Sequence, residues 1–473
     1  MHIKSIDAIE ILDSRGVPSI HTSVVLNSGH KGEAMVPSGA STGKKEAFEL
    51  RDNDERFDGK GTKKAIENIK SLIQPALLGK PIEEQKELDQ IMINLDGTRE
   101  KKKLGANSIL SVSLACTRAA ANAMNLPLYD YIRILFNSKS DKGSTLSMPK
   151  PMLNIFNGGA HSNNRIDIQE FMIMPSGDVS FSEGLKNCVQ VYTSLKRLLS
   201  SKGWSTNVGD EGGFAPNLDS NEEVIEYLIK AIQSANFSYG KDIFISLDCA
   251  ASEFFDGRNY ILNATDETFS SDGLIDYYVK LIKKFDIKSI EDPLHEDDWD
   301  GWIKLTSELN GVQIVGDDIF VTQRELLKKG IDSHAGNAIL IKPNQVGTLT
   351  ESLESIQYNN KAVLTNATVY FEFDKSSLTS RSLQILKSVV EALSENPSVT
   401  VTLAGHADER GTREYNLALG ERRANAAKDY LMTYGVSSDR IKVLSYGKER
   451  PVDSGSNPLS WSKNRRSVTV KAN

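Results

Sequence analysis

SIEDPLHEDDWDGWIKLTSELNGVQIVGDD (289–318) holds two short strand-like segments, SIEDP and QIVGDD, separated by a helical stretch, and each runs into an acid, Glu291 and Asp317. The same design recurs on either side. ISLDC upstream ends at Asp248, and AILIKP downstream ends at Lys342. The last two intervals, 26 and 25 residues, are the length of one strand–helix unit. Alternating units of this kind predict a parallel sheet, and in an α/β barrel the C-terminal strand ends share one catalytic face. An acid after a strand also serves as an ordinary helix N-cap. That reading does not account for Lys342 or for the repetition.

Working outward, residues 1–138 open with strand-like IKSIDAIEIL and IHTSVVLN and a Gly/Ser loop, PSGASTG. Helical patterns follow over 61–78, 83–94 and 105–124, the last small and apolar enough to be a buried helix. KSDKGSTLSMPKP (139–151) is polar and bounded by proline, as a linker would be. Residues 139–360 carry the strand–helix alternation, which stops short of a full barrel. From 361 the pattern and the charge both change: 17 Lys and Arg against 12 Asp and Glu over 361–473, against 39 and 51 before it.

The whole chain of 473 residues has a net charge of −7 and an ordinary share of apolar residues. Three scattered cysteines (Cys116, Cys188, Cys249) offer no disulfide framework and no zinc site, and read as buried thiols. The N-terminus lacks an apolar signal-like run, and no segment is apolar for long enough to span a bilayer. The expectation is a cytoplasmic protein without a membrane segment. The basic run NRR (464–466) is too small to indicate nucleic-acid binding.

Asp248, Glu291 and Asp317 are three hard oxygen donors on one face, suited to Mg²⁺ rather than to zinc or copper. Lys342 beside such an ion would be lowered toward the range of a general base. A metal that stabilises an enolate, with a lysine that takes the α-proton, is a coherent pair. NVGDEGGFAP adds Asp210 and Glu211 in a glycine-flanked turn, where an acid could protonate a leaving hydroxide, although an acidic tight turn alone would look the same.

These segments resemble the enolase family. The matching motifs are EILDSRGVPS (10–19), VPSGASTG (36–43), GGAHSNNRIDIQEFMIMP (158–175), NVGDEGGFAPN (207–217), SLDCAASEFF (246–255), SIEDPLHEDDW (289–299), IVGDDIFVT (314–322) and ILIKPNQVGTLTES (339–352). The resemblance implies dehydration of 2-phosphoglycerate. It implies Asp248, Glu291 and Asp317 as ligands of a tightly held Mg²⁺, Lys342 as the base at C2, and Glu211, with Glu170 beside it, as the acid at the C3 hydroxyl. His161 and Gln169 would contact substrate, and Ser41 would help hold a second Mg²⁺. The family continues into two further strands that bring a Ser-His-Arg-Ser-Gly-Glu motif and a second lysine, which bind the substrate's phosphate and carboxylate. Neither is found here; YNNKAVLTN follows instead. A six-of-eight-stranded barrel leaves open edges, which favour instability or homo-oligomers.

The remainder, 361–473, predicts a compact α+β unit. Its strands lie in ATVYFEFDKSSLT (367–379), SVTVTLAGHAD (398–408), IKVLSYG and SVTVKA, with helices at 380–395 and about 412–434. One alternative has TVYFEF and TVTLAG replacing the missing barrel strands. On VYFEFDKSSLT, GHADERGTREYNLALGERRANAAKDYL (405–431), SYGKERP (445–451) and SKNRRSV (462–468), the segment is similar to OmpA-like peptidoglycan-binding domains, especially that of the peptidoglycan-associated lipoprotein. Asn416, Leu419, Gly420 and Arg423 share one helical face. The resemblance implies that Asp408 and Arg423 clamp the diaminopimelate of the cell-wall peptide, with Asn416 and Leu419 alongside. A solvated Asp–Arg pair is the plain alternative. Three functions stay open: an enolase with an incidental domain, a non-catalytic cell-wall binder, and a chimera of the two. The enzyme belongs in the cytosol and this binding-domain type in the periplasm, and the break falls inside a domain rather than at a linker.

Overall fold

The computed structural model describes the chain except residues 37, 40–42, 138–147, 310, 396–398 and 472–473. It divides into two compact units. The first is Met1–Arg133 with Ser147–Ser355, and the second is built on Ile356–Asn473.

The first unit begins with an antiparallel meander, β1 (Ile3–Leu12), β2 (Pro18–Leu26) and β3 (Lys31–Met35). Ile3, Ile6 and Ala8 alternate inward along β1 and are buried, as a one-sided sheet requires. Helix α1 (Ala106–Ala123) covers that face and is buried along nearly its whole length. Its small side chains permit a backbone-to-backbone approach. A Cβ on Gly32 of β3 would lie 2.1 Å from the Ala119 nitrogen and 2.3 Å from the Ala115 oxygen.

The barrel segment supplies β4 (Leu153–Asn157), β5 (Glu170–Pro175), β6 (Ile243–Asp248), β7 (Ser289–Glu291), β8 (Gln313–Gly316) and β9 (Ala338–Ile339). They form one sheet in the order β9-β8-β7-β6-β5-β4, parallel from β6 to β9 and antiparallel at β4–β5 and β5–β6. Helices Phe181–Ser201, Asn221–Ser234, Ser271–Phe285 and Trp299–Glu308 begin at Ser180, Ser220, Ser270 and Asp298, whose side-chain oxygens accept backbone N–H bonds. Ile243, Ile245 and Leu247 of β6 join Ile290 and Ile314 in the apolar core with these helices.

The other face carries polar rows. Pairing aligns Asn154, Met172, Ser246, Ser289 and Gln313 in one row, and Glu170, Asp248, Glu291 and Val315 in the next. β4 and β9 end the sheet without pairing to each other, so it is an open six-stranded sheet. Both amide atoms of Asn154 and the hydroxyl of Ser246 are buried without partners. Buried polar atoms are ordinarily satisfied, and in a complete barrel facing strands fill that interior.

The seam near residue 360 is not a linker. Helix α2 (Leu349–Asn366) runs straight through it. Beyond it, β10 (Thr368–Tyr370), β11 (Val401–His406), β12 (Ile441–Gly447) and β13 (Arg466–Lys471) form their own four-stranded sheet, ordered β10-β13-β11-β12. TVYFEF and TVTLAG therefore do not complete the barrel. Helices α3 (Ser380–Glu395) and α4 (Arg413–Thr433) accompany this sheet, and Leu386, Val389, Leu393, Val401, Leu403 and Leu431 lie in its core. Gly405 and Gly420 let α4 meet β11: a Cβ on Gly405 would sit 1.8 Å from the Gly420 oxygen.

Candidate functional sites

At one end of the open sheet, register alone brings three acids abreast, with Glu170 opposite Asp248 and Asp248 opposite Glu291. Asp317 follows β8 directly. Asp248, Glu291 and Asp317 are each 8% exposed. Lys342 lies beyond β9 and places its Nζ 2.5 Å from Asp317 Oδ2, while Gln345 donates to Asp317 Oδ1 at 2.6 Å. Gln169 donates to Asp248 Oδ2 at 3.2 Å and keeps its own Oε1 buried without a partner. His161 is buried, with Nδ1 3.4 Å from Glu170 and Nε2 3.9 Å from Glu211. The Asp210–Glu211 turn is tied to this histidine by the Asp210 N–H donating to His161 O at 3.0 Å. Glu211 itself is about half exposed. Ser41 lies outside the described residues.

Electrostatically the site is overloaded with negative charge. Burial, then Asp248 and Glu211, push Glu170 up to about 9. Burial and Asp317 push Asp248 up to about 7. Glu291 is held well above its ordinary value by burial, Asp248 and Asp317. Burial pulls the Lys342 ammonium down, but Asp317, Glu291 and Asp248 outweigh it and leave it raised. The lowered value expected of a base therefore requires added positive charge among these acids. A crowded set of buried oxygen donors fits a hard divalent cation.

Two positions escaped the sequence reading. Asp292 accepts the backbone N–H groups of Asp317 (2.9 Å) and Asp318 (2.8 Å), fixing the loop that carries Asp317. Its oxygens form a tight group with those of Asp317 and Asp318, all within 4.8 Å. A second such group joins His161, Glu170 and Glu211. Glu46 is the other missed residue. Burial pushes it up to about 7, with Asp317 adding to the rise. The doubled acids of IEDP and GDD were the available signal for Asp292; nothing local marks Glu46.

In the second unit, Asp408, Asn416, Leu419 and Arg423 come together, lining a cavity of about 180 Å³ with Phe373 and Tyr415. The solvated-pair alternative fails here, because Asp408 is 4% exposed and Arg423 fully buried. Within the pocket Asp408 and Arg423 take different protein partners. Arg423 donates to three carbonyls, His406 O (2.8 Å), Lys375 O (2.9 Å) and Glu372 O (3.2 Å). Asp408 is instead paired with Arg410 (2.7 Å) and Arg465 (3.3 Å). Burial, then Arg465, lower Arg423 to about 10, although Asp408 opposes them. A buried guanidinium bonded to neutral carbonyls retains attraction for an anionic ligand. Asn416 donates to Arg410 O at 2.9 Å and holds the loop.

The first site is thus a cluster of buried acids with one lysine at the end of an open six-stranded sheet, and the second a charged pocket on an α+β unit. Residues 3–132 match the family model of the enolase N-terminal domain and 145–371 that of the enolase C-terminal TIM barrel domain, while 370–465 match the OmpA family. The chain is an enolase-family polypeptide fused to an OmpA-family domain. Among the described residues, no helix is long and apolar enough to cross a membrane.

Proposed function

We propose that the chain is a chimera whose enolase segment keeps the proton-transfer and metal-holding residues but has lost turnover of 2-phosphoglycerate to phosphoenolpyruvate. Its OmpA-type unit binds the diaminopimelate-bearing stem peptide of peptidoglycan. The observation that carries the first half is the open sheet, which stops at β9 with its interior row unsatisfied. Asp248, Glu291 and Asp317 would hold Mg²⁺, with Ser41 serving a second ion. That positive charge would stabilise the negative charge developing on the substrate carboxylate. On a substrate held in place Lys342 would take the C2 proton, and Glu211, paired with Glu170 through His161, would give a proton to the departing C3 hydroxyl. Gln169 and His161 orient the substrate. What is missing is the set of cations that fix the substrate's phosphate and carboxylate, so the reacting carbon is not held against Lys342.

In the second unit, Asp408 receives the ammonium and Arg423 the carboxylate of the diaminopimelate end, with Leu419 against its methylene chain. The open edges of β4 and β9 favour association between copies. A unit of this binding type acts where cell wall is present, whereas the enolase reaction is cytoplasmic. Turnover of 2-phosphoglycerate with added Mg²⁺ tests the first half, and a rate near that of a complete enolase defeats it. A peptidoglycan pull-down of the full chain against Asp408→Ala tests the second. Retention by the wild type and loss in the variant is expected; no retention by the wild type, or equal retention by both, refutes it.

A further inference from the structure

The carboxylate assigned above to the ligand's ammonium is already taken by the protein's own Arg410. The Arg410 guanidinium donates to Asp408 Oδ1 from Nε (3.2 Å) and to Oδ2 from Nη2 (2.7 Å), and its backbone N–H donates to Oδ1 at 3.2 Å. Two aromatic rings hold it there, Phe373 at 4.0 Å and Trp461 at 4.1 Å from the guanidinium carbon. Both stacks are favourable cation–π contacts. The loop backbone is fixed separately. Lys448 donates to Glu409 O (3.3 Å) and Gly411 O (2.8 Å), and Asn416 to Arg410 O. Glu409 in turn accepts from the Trp461 indole N–H at 2.8 Å. Asp408 can thus be freed by rotation of the Arg410 side chain alone, which is only partly buried.

We infer that Arg410 is a tethered occupant of the ammonium subsite, a latch that an incoming ligand must displace from Asp408 and from between Phe373 and Trp461. This deepens the stem-peptide reading and rests on it. The consequence is thermodynamic. A group that fills the site in the free protein lowers apparent affinity by the fraction of molecules that are latched. The latch also sets a threshold of specificity, because a ligand must present a cation that competes for Asp408 with a guanidinium the protein itself supplies. Arg465 stays on Asp408 Oδ2 at 3.3 Å and continues to anchor that carboxylate after the swing.

The test is equilibrium binding of a soluble stem tripeptide ending in diaminopimelate to the full chain, read by calorimetry and by Trp461 emission, with Trp461→Phe as the spectral control. Arg410→Ala is expected to bind about tenfold tighter than the wild type, the scale set by removing a mostly latched population. Arg410→Lys should fall between them, since an ammonium keeps the charge but loses the fork and the stacking. Ligand should change Trp461 emission in the wild type and leave it nearly unchanged in Arg410→Ala. Equal or weaker binding by Arg410→Ala, with a wild type that binds, overturns the latch while leaving the stem-peptide reading intact. No binding by the wild type, Arg410→Ala or Arg410→Lys sinks both. Circular dichroism of each variant separates loss of binding from loss of fold.

Discussion

The barrel site and the OmpA-type pocket are built over very different lengths of chain. Glu170, Asp248, Glu291, Asp317 and Lys342 are contributed one per strand, so the first site draws on more than 170 residues. The residues lining the pocket all fall within 373–423. A break in the chain therefore removes part of the first and spares the second. The consequence is visible in how each satisfies its polar atoms. In the barrel, Asn154, Ser246 and Gln169 keep buried atoms without partners and the acids repel one another. In the pocket, Arg423 has three carbonyl acceptors and Asp408 two guanidinium partners.

The largest expected effect lies in catalysis. Loss of several charge-assisted anchors should depress turnover of 2-phosphoglycerate by at least about 10⁴-fold relative to a complete enolase, since each 1.4 kcal/mol is roughly tenfold. A coupled assay for phosphoenolpyruvate measures this, with Lys342→Ala as the blank. A wild-type rate well above that blank would break the contrast between a cut site and a whole one. Next comes Arg423→Leu. It removes the donor to the buried His406 O and to the partly buried Lys375 O and Glu372 O, and should lower the stability of the second unit by about 3 kcal/mol. Calorimetry should show the loss in that unit's transition while the other stays in place.

Much of this was readable from the chain because Asp248, Glu291, Asp317 and Lys342 each end a strand-like segment, and the last three recur at 26 and 25 residues. The shared face of Asn416, Leu419, Gly420 and Arg423 follows likewise from helical periodicity, and all four are buried. Partners across the fold were not readable. Asp292 looks like a turn residue after a strand, yet it closes a loop 25 residues on through the N–H groups of Asp317 and Asp318. Arg410 stands two residues from Asp408, close enough to seem mere surface charge, and only Phe373 and Trp461 reveal that it is packed. Nor does sequence reveal that a helix bridges the seam, since helical propensity carries no mark of where one family's pattern ends.

Two glycines sharpen the comparison at a smaller scale. Gly32→Ala would drive a Cβ to 2.1 Å from the Ala119 nitrogen, and Gly405→Ala to 1.8 Å from the Gly420 oxygen. In both cases the obstacle is backbone, which cannot rotate away, so each change should cost about 3 kcal/mol. The two losses should appear in separate calorimetric transitions, Gly32→Ala in the first unit and Gly405→Ala in the second. A single merged shift for either variant would mean that the units do not unfold independently.

The smallest effect is a pH dependence confined to the second unit. His406 is buried on β11 against Tyr446, and burial, with the Arg466 charge adding to it, lowers the imidazole to about 4 against the opposing hydrogen bond with the Arg450 backbone. An unfolded histidine titrates near 6.5. Between those values the unfolded chain binds a proton that the folded chain refuses, so stability must fall as pH falls. The contribution is complete above pH 6.5 and is lost as pH drops toward 4, about 2 kcal/mol of it by pH 5. His406→Phe removes the titration and should flatten that part of the profile, while Asp408, already held low by its arginines, still responds at more acid pH. If the midpoints of wild type and variant run parallel from pH 6.5 to 4, burial of this imidazole is not what sets the acid sensitivity of the unit.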